Sequence, residues 1–199
     1  MLAQAEFLNV LLGNYNTTYA RTITLDDVKR RFLDTPPSID TVFLLTYTVA
    51  RLRGLSSVPE HTTRNPFVGQ LELNILFGVT LVIDSAVKAK NQAQCKFIHH
   101  AECLLRATGH ALTNPQLGEI NGLFEGAFDA TVQAALGGNL RLQDGTLLDR
   151  IQSDVALCYG LRNNGAHNTR TAPTIWKRYP EVQQGVFRTL FATVDYLYP

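Results

Sequence analysis

Surplus charge, cysteine and long apolar runs are what this chain has least of, and each shortage removes a class of protein. Eighteen lysines and arginines stand against seventeen acids, a net charge of +1 over 199 residues. No basic field surrounds such a molecule, so any nucleic acid has to be held by a local patch. The three cysteines, Cys95, Cys103 and Cys158, are too few and too scattered for the disulfide framework of a small secreted domain. No uncharged apolar stretch reaches the length that spans a bilayer. The opening Met1-Leu2-Ala3-Gln4-Ala5-Glu6 has neither the basic start nor the apolar run of a signal peptide. The expectation is a soluble, cytoplasmic protein with no membrane segment. Internal repeats and low-complexity stretches are also missing.

What is present is enough apolar residue for a real core, 45% of the chain with 18% charged. With no clear boundary in the composition, residues 1–199 read as one domain, in which 1–65 is a candidate N-terminal helical extension. Apolar positions recur at three and four residues through most of the length. Residues 3–13 give a short amphipathic helix with Phe7, Val10 and Leu11 on one face and Gly13 as its stop, followed by a polar and aromatic connector at 14–19. Thr24 is a good N-cap, with Asp26 and Asp27 in the first turn of a helix to about Asp34. Pro36-Pro37 ends it, and Ser38 caps a helix whose core side holds Val42, Phe43, Leu45, Val49 and Leu52. A loop at 55–65 leads to Pro66, which suits the first turn of a long helix to about Lys90.

A further helix runs to about Ala107 and is ended by Gly109. Asn114-Pro115 opens one that continues through Leu117, Ile120, Leu123, Phe124 and Phe128 to Gly137-Gly138. Its glycines at 118, 122 and 126 suit close helix packing. Residues 139–145 form a turn or a short hairpin. Helices at 147–161 and 181–198 complete an all-α bundle of about seven or eight helices.

Two acids and one cysteine pair stand out along the way. Glu72 and Asp84 lie in the long apolar helix, where a buried acid needs a partner, and an arginine from another helix is the usual one. Most such acids are structural or solvent-facing; the functional alternative is an acid that orients a catalytic group. Cys95, His99 and Cys103 are spaced four apart on one helical face. Zinc would need a fourth ligand, and the chain has no second Cys/His pair in a short turn to supply it. Small cysteines on a core face are the commoner case, so neither a metal nor any other cofactor is expected.

The most informative stretch is Ala156-Leu157-Cys158-Tyr159-Gly160-Leu161-Arg162-Asn163-Asn164-Gly165-Ala166-His167. It reads as the end of an apolar helix that delivers an arginine, two asparagines, a glycine turn and a histidine. Arginine grips phosphate through paired hydrogen bonds, and histidine moves protons near neutral pH. About one helical turn separates them, so both could address one anionic group. Arg170, in the loop that follows, is placed to add a second cation.

Leu161-Arg162-Asn163-Asn164-Gly165-Ala166-His167 resembles the signature of the HEPN superfamily (higher eukaryotes and prokaryotes nucleotide-binding), in which an arginine, a polar residue and a few further residues precede a histidine. The resemblance implies a helical bundle and, for many members, a metal-independent endoribonuclease of toxin–antitoxin, CRISPR or abortive-infection systems. Two such motifs commonly meet across a homodimer. Carried onto this chain, Arg162 would hold the phosphate, His167 would shuttle the proton, and Asn163 would position the pair or the substrate. Asn164, Arg170, Glu72 and Asp84 are the supporting candidates. The expected partners are RNA, a second copy of the chain, and an antitoxin or other defence-system protein.

Arginine and histidine at a helix C-terminus also satisfy free carbonyls and suit the helix dipole. Two functional classes therefore stay open. One is an RNA-cleaving effector; the other is a non-catalytic HEPN-like module that binds a protein partner or a nucleotide.

Overall fold

The computed structural model describes residues 2–33, 49–51, 54, 66–91, 96–167 and 173–199. Pro36-Pro37, the helix expected after Ser38 (apart from residues 49–51, of which Val49 is buried), the loop at 55–65, Cys95 and Arg170 lie outside the described residues. Within the described residues the fold is all-α, with nine helices: α1 (Leu2–Tyr19), α2 (Leu25–Leu33), α3 (Pro66–Asn91), α4 (Phe97–Ala107), α5 (Asn114–Gly126), α6 (Phe128–Gly137), α7 (Arg150–His167), α8 (Pro173–Lys177) and α9 (Tyr179–Leu197). No described helix is long and apolar enough to cross a membrane.

The bundle is built round α9. It packs against α3, α7, α1, α4 and α2, and most of its nineteen residues are buried. A helix enclosed on every side has no polar stripe to spend on solvent, so its polar residues need internal partners. The hydroxyls of Thr189 and Thr193 donate to the carbonyls of Gly185 and Thr189. Arg188 and Asp195 are held in ion pairs described below. The expected core stripe of Phe187, Leu190, Phe191, Val194 and Leu197 is buried throughout. The helix begins at Tyr179 rather than Glu181, because Pro180 fits its first turn.

Local signals decide most of the other boundaries. Thr24 and Asp27 form a capping box on α2, each side chain bonded to the other's backbone N–H at 3.1 and 2.9 Å. Thr113 and Gln116 do the same for α5. Asp149 and Gln152 form a third at α7, which therefore starts at Arg150 and not at Leu147. Leu147 instead makes an isolated antiparallel bridge with Arg141, flanked by bonds from Leu142 N–H to Thr146 and from Leu148 N–H to Leu140, so the segment is a minimal hairpin, and no named strand occurs among the described residues.

Three expectations are corrected. The helix expected to stop at Gly13 runs on to Tyr19, and the 14–19 segment is helical rather than a connector. Tyr15 is fully buried there, and burying that ring outweighs the roughly 1 kcal/mol that an exposed glycine costs in a helix. Val10, expected on the core face, is 72% exposed; Leu11 is buried as expected, and Leu12 is buried beside it. The single helix expected from Asn114 to Gly137 is two, broken at Ala127. The break keeps both Phe124 and Phe128 in the core, with ring centroids 6.0 Å apart. The Thr131 hydroxyl lies within bonding distance of the carbonyls of Leu123 and Ala127 at the break. Seven of the expected helices fall in the described residues, and this division and the short α8 bring them to nine.

Candidate functional site

The arginine–histidine stretch lies on α7, whose apolar positions Ile151, Val155, Leu157, Cys158 and Leu161 are buried. The helix does not end before the motif. It continues through Asn164 and Gly165 to His167, which corrects the expectation of a glycine turn there. Five residues of helix set Arg162 and His167 about 140° apart round the axis and about 7.5 Å along it. A single copy of the helix therefore spreads the two positions over different faces. The side chains of Asn164, His167 and Glu72 lie outside the described set, as does Arg170 altogether.

Two contacts with α5 fix the position of the motif helix. A Cβ built on Gly160 would stand 2.3 Å from the Phe124 ring, so only glycine lets that ring lie on the α7 backbone. One turn further along, the Asn163 side chain donates from Nδ2 to Asn121 Oδ1 at 2.9 Å. Asn163 Oδ1 in turn accepts from Arg162 Nη1 at 3.3 Å. Asn121 donates from its own Nδ2 to Glu125 Oε1 at 2.7 Å. Arg162, Asn163 and Asn121 are half-buried, and Glu125 is exposed. Tyr159 lies beside them, buried. Its phenol is pushed up mainly by that burial and further by Glu125, while a hydrogen bond with Asn163 and the Arg162 charge oppose the shift.

The other half of α7 carries a closed cluster that the sequence reading missed. Asp154 is fully buried. Arg188 donates to both its oxygens, Nε to Oδ2 and Nη2 to Oδ1, each at 2.7 Å. Arg150 Nη2 adds a bond to Oδ1 at 2.6 Å, and the Tyr19 hydroxyl one to Oδ2 at 2.5 Å. Each carboxylate oxygen thus receives two donors and has no lone-pair site left for a substrate proton. Gly185 permits this approach, since a Cβ there would meet Leu157 at 3.0 Å and Asp154 at 3.2 Å. Asp195, near the end of α9, is held similarly by Tyr15 at 2.8 Å, Arg21 at 2.6 Å and Arg31 at 2.8 Å. Burial pushes the Asp195 carboxyl upward, but the bonds from Arg21, Tyr15 and Arg31 together outweigh it and hold it below the usual carboxylate range.

Asp84 is paired with the buried His100 of α4 through Nδ1, in place of the arginine expected. Its charge and that of Asp154 add to the burial that drives the Cys158 thiol far up, leaving that sulfur unsuited to act as nucleophile or ligand. Cys103 donates to Asn91 Oδ1 at 3.1 Å. Among the described residues no group of three or more His, Cys, Asp or Glu side chains is placed to hold a metal ion.

Gly160 had one usable signal in the sequence: a glycine in mid-helix marks a close approach. Asp154 had another, as the lone acid between Ile151 and Leu161. The α5 partners had none, because a contact between residues 42 apart leaves no periodicity. Compared with known proteins, the chain matches no family model, no curated protein and no solved structure.

Proposed function

We propose that this protein is a metal-independent endoribonuclease of the HEPN type that works as a homodimer, with Arg162, Asn163 and His167 forming its site. The observation that carries the reading is the bracing of the motif from a second helix: Asn163 donates to Asn121 of α5 and accepts from the half-buried Arg162. A guanidinium oriented in this way can present paired donors to a phosphate.

Cleavage without a metal needs a base for the 2′-hydroxyl proton, an acid for the leaving 5′-oxygen and a cation on the phosphate. One histidine serves one proton transfer at a time, and two copies supply both. In this reading His167 of one copy takes the 2′-hydroxyl proton as that oxygen attacks phosphorus. The P–O5′ bond breaks, and His167 of the other copy gives a proton to the 5′-oxygen. Arg162 neutralises the charge on the phosphate, and the products are a 2′,3′-cyclic phosphate and a 5′-hydroxyl. RNA is then the substrate, and a toxin or defence role in the cytoplasm, with an antitoxin or similar protein as restraint, is the setting in which such an activity would be kept in check.

The test is incubation of the purified protein with structured and unstructured RNA in EDTA, beside His167→Ala. Cleavage by the wild type alone, leaving cyclic phosphate ends, is the expected result. No cleavage by either, with both proteins folded and dimeric, would replace this reading with a non-catalytic module that binds a protein or a nucleotide.

A further inference from the structure

The chain Glu125–Asn121–Asn163–Arg162 has a direction, set by an acceptor-only group at one end and a donor-only group at the other. A carboxylate only accepts hydrogen bonds, so Glu125 takes the Asn121 amide by its NH2 group at 2.7 Å. That leaves Asn121 Oδ1 turned to α7, where it accepts from Asn163 Nδ2 at 2.9 Å. The Asn163 NH2 group being engaged, its Oδ1 faces Arg162 and accepts from Nη1 at 3.3 Å. Both amides are fixed in one of their two orientations, and their dipoles run head to tail from an anion to a cation. Reversing the chain would turn the Asn163 NH2 group toward Arg162, donor against donor.

We propose that Glu125 is the supporting acid of the Arg162 site, acting through Asn121 to set the orientation of Asn163 and so to aim the guanidinium. Glu125 and Asn121 are positioning residues, on a helix that contributes no other member of the motif. The inference rests on the reading of Arg162 as a phosphate-binding group, and it gives the role first sought in Glu72 and Asp84 to a residue of α5. The packing supports it. The Phe124 ring against Gly160 sets the spacing of α5 and α7, and Asn121 and Glu125, one turn apart on α5, flank that contact. Glu125 is exposed, so the fold tolerates substitution there and the effect of a variant is read on the site.

The acid's role predicts an order among substitutions. Glu125→Gln keeps an acceptor oxygen and preserves the direction of the chain. Glu125→Ala removes the constraint, and Glu125→Lys presents a donor that favours the reversed orientation. Under the RNA-cleavage assay, kcat is expected to fall little for Gln, about threefold for Ala and about tenfold or more for Lys, with KM and unfolding midpoint nearly unchanged. Asn121→Ala should fall about tenfold, and adding Asn163→Ala should then cost little more.

A second readout needs no activity: the NMR signals of the Asn163 side-chain amide and the Arg162 Nε–H, followed in the same variants. They should stay at the wild-type position in Glu125→Gln and move progressively in Ala and Lys. Signals that ignore Glu125→Lys and Asn121→Ala, or a kcat that follows unfolding midpoint alone, would overturn the proposal. Signals that move in the predicted order in a protein that cleaves no RNA would leave the positioning role standing and remove the ribonuclease reading.

Discussion

The two ends of helix α7 use the same residue type for opposite purposes. At Asp154 two arginines and a tyrosine converge on one carboxylate that is out of contact with water. All of its lone-pair sites are filled, and α1, α7 and α9 are joined through it. At Arg162, eight residues on, the guanidinium meets a neutral amide at the edge of the bundle. The Asn163 amide, itself held by Asn121 of α5, orients the arginine from a second helix. Buried ion pairs join elements of a fold at a high desolvation cost, whereas a site needs a charge that is oriented and incompletely neutralised.

Breaking the closed end should show the largest effect on folding. Asp154→Ala leaves Arg188 buried beside Arg150 without a counter-charge, and a loss of about 3–5 kcal/mol in urea unfolding is expected. Arg162→Ala should cost about 1 kcal/mol or less in the same experiment. Equal losses at the two positions would erase the distinction drawn between them. Gly160→Ala comes next, because its methyl group has to displace the Phe124 ring. A loss of about 1–3 kcal/mol is expected, together with lower RNA cleavage as α7 is pushed from α5.

Asp195 sharpens the comparison through pH. Its carboxyl titrates lower in the folded protein than in the unfolded chain, where the value is about 3.9. Its contribution is therefore complete above that value and is lost as the pH falls through the lower folded one. Asp195→Asn should cost about 1–3 kcal/mol at pH 7 and flatten the acid limb of a stability–pH profile. A limb as steep as that of the wild type would mean that other carboxylates govern acid unfolding. The smallest effect is expected at Gly122 on the exposed side of α5, where a Cβ meets nothing within 4 Å. Gly122→Ala should raise stability by about 0.5–1 kcal/mol, seen as a higher melting temperature, in contrast to the same exchange at Gly160.

Helix existence was legible because it follows from local pattern. The apolar stripes of α3, α5, α7 and α9 and the cap at Thr24 stand in the sequence as spacing and residue type. The places where reading failed are those where a distant group decided. Gly13 looks like a stop until Tyr15 and Tyr19 are seen reaching Asp195 and Asp154 across the bundle. Residues 163–167 look like a turn, with asparagines and glycine in succession, yet the Asn121–Asn163 bond braces α7 against α5 and the helix runs on.

The same division holds for the site. The sequence alone determined that a cation, an amide and a histidine lie within six residues at the end of an apolar helix, because covalent spacing fixes that much. It also determined an all-α architecture, since the period of the apolar residues is a property of the chain. Only the tertiary structure decided that Arg150 and Arg188 converge on Asp154, that Asp84 pairs with His100, and that Glu125 stands at the far end of the amide chain leading to Arg162. Those outcomes depend mostly on which side chains meet between residues 16 to 135 positions apart, and packing, unlike periodicity, leaves no local trace.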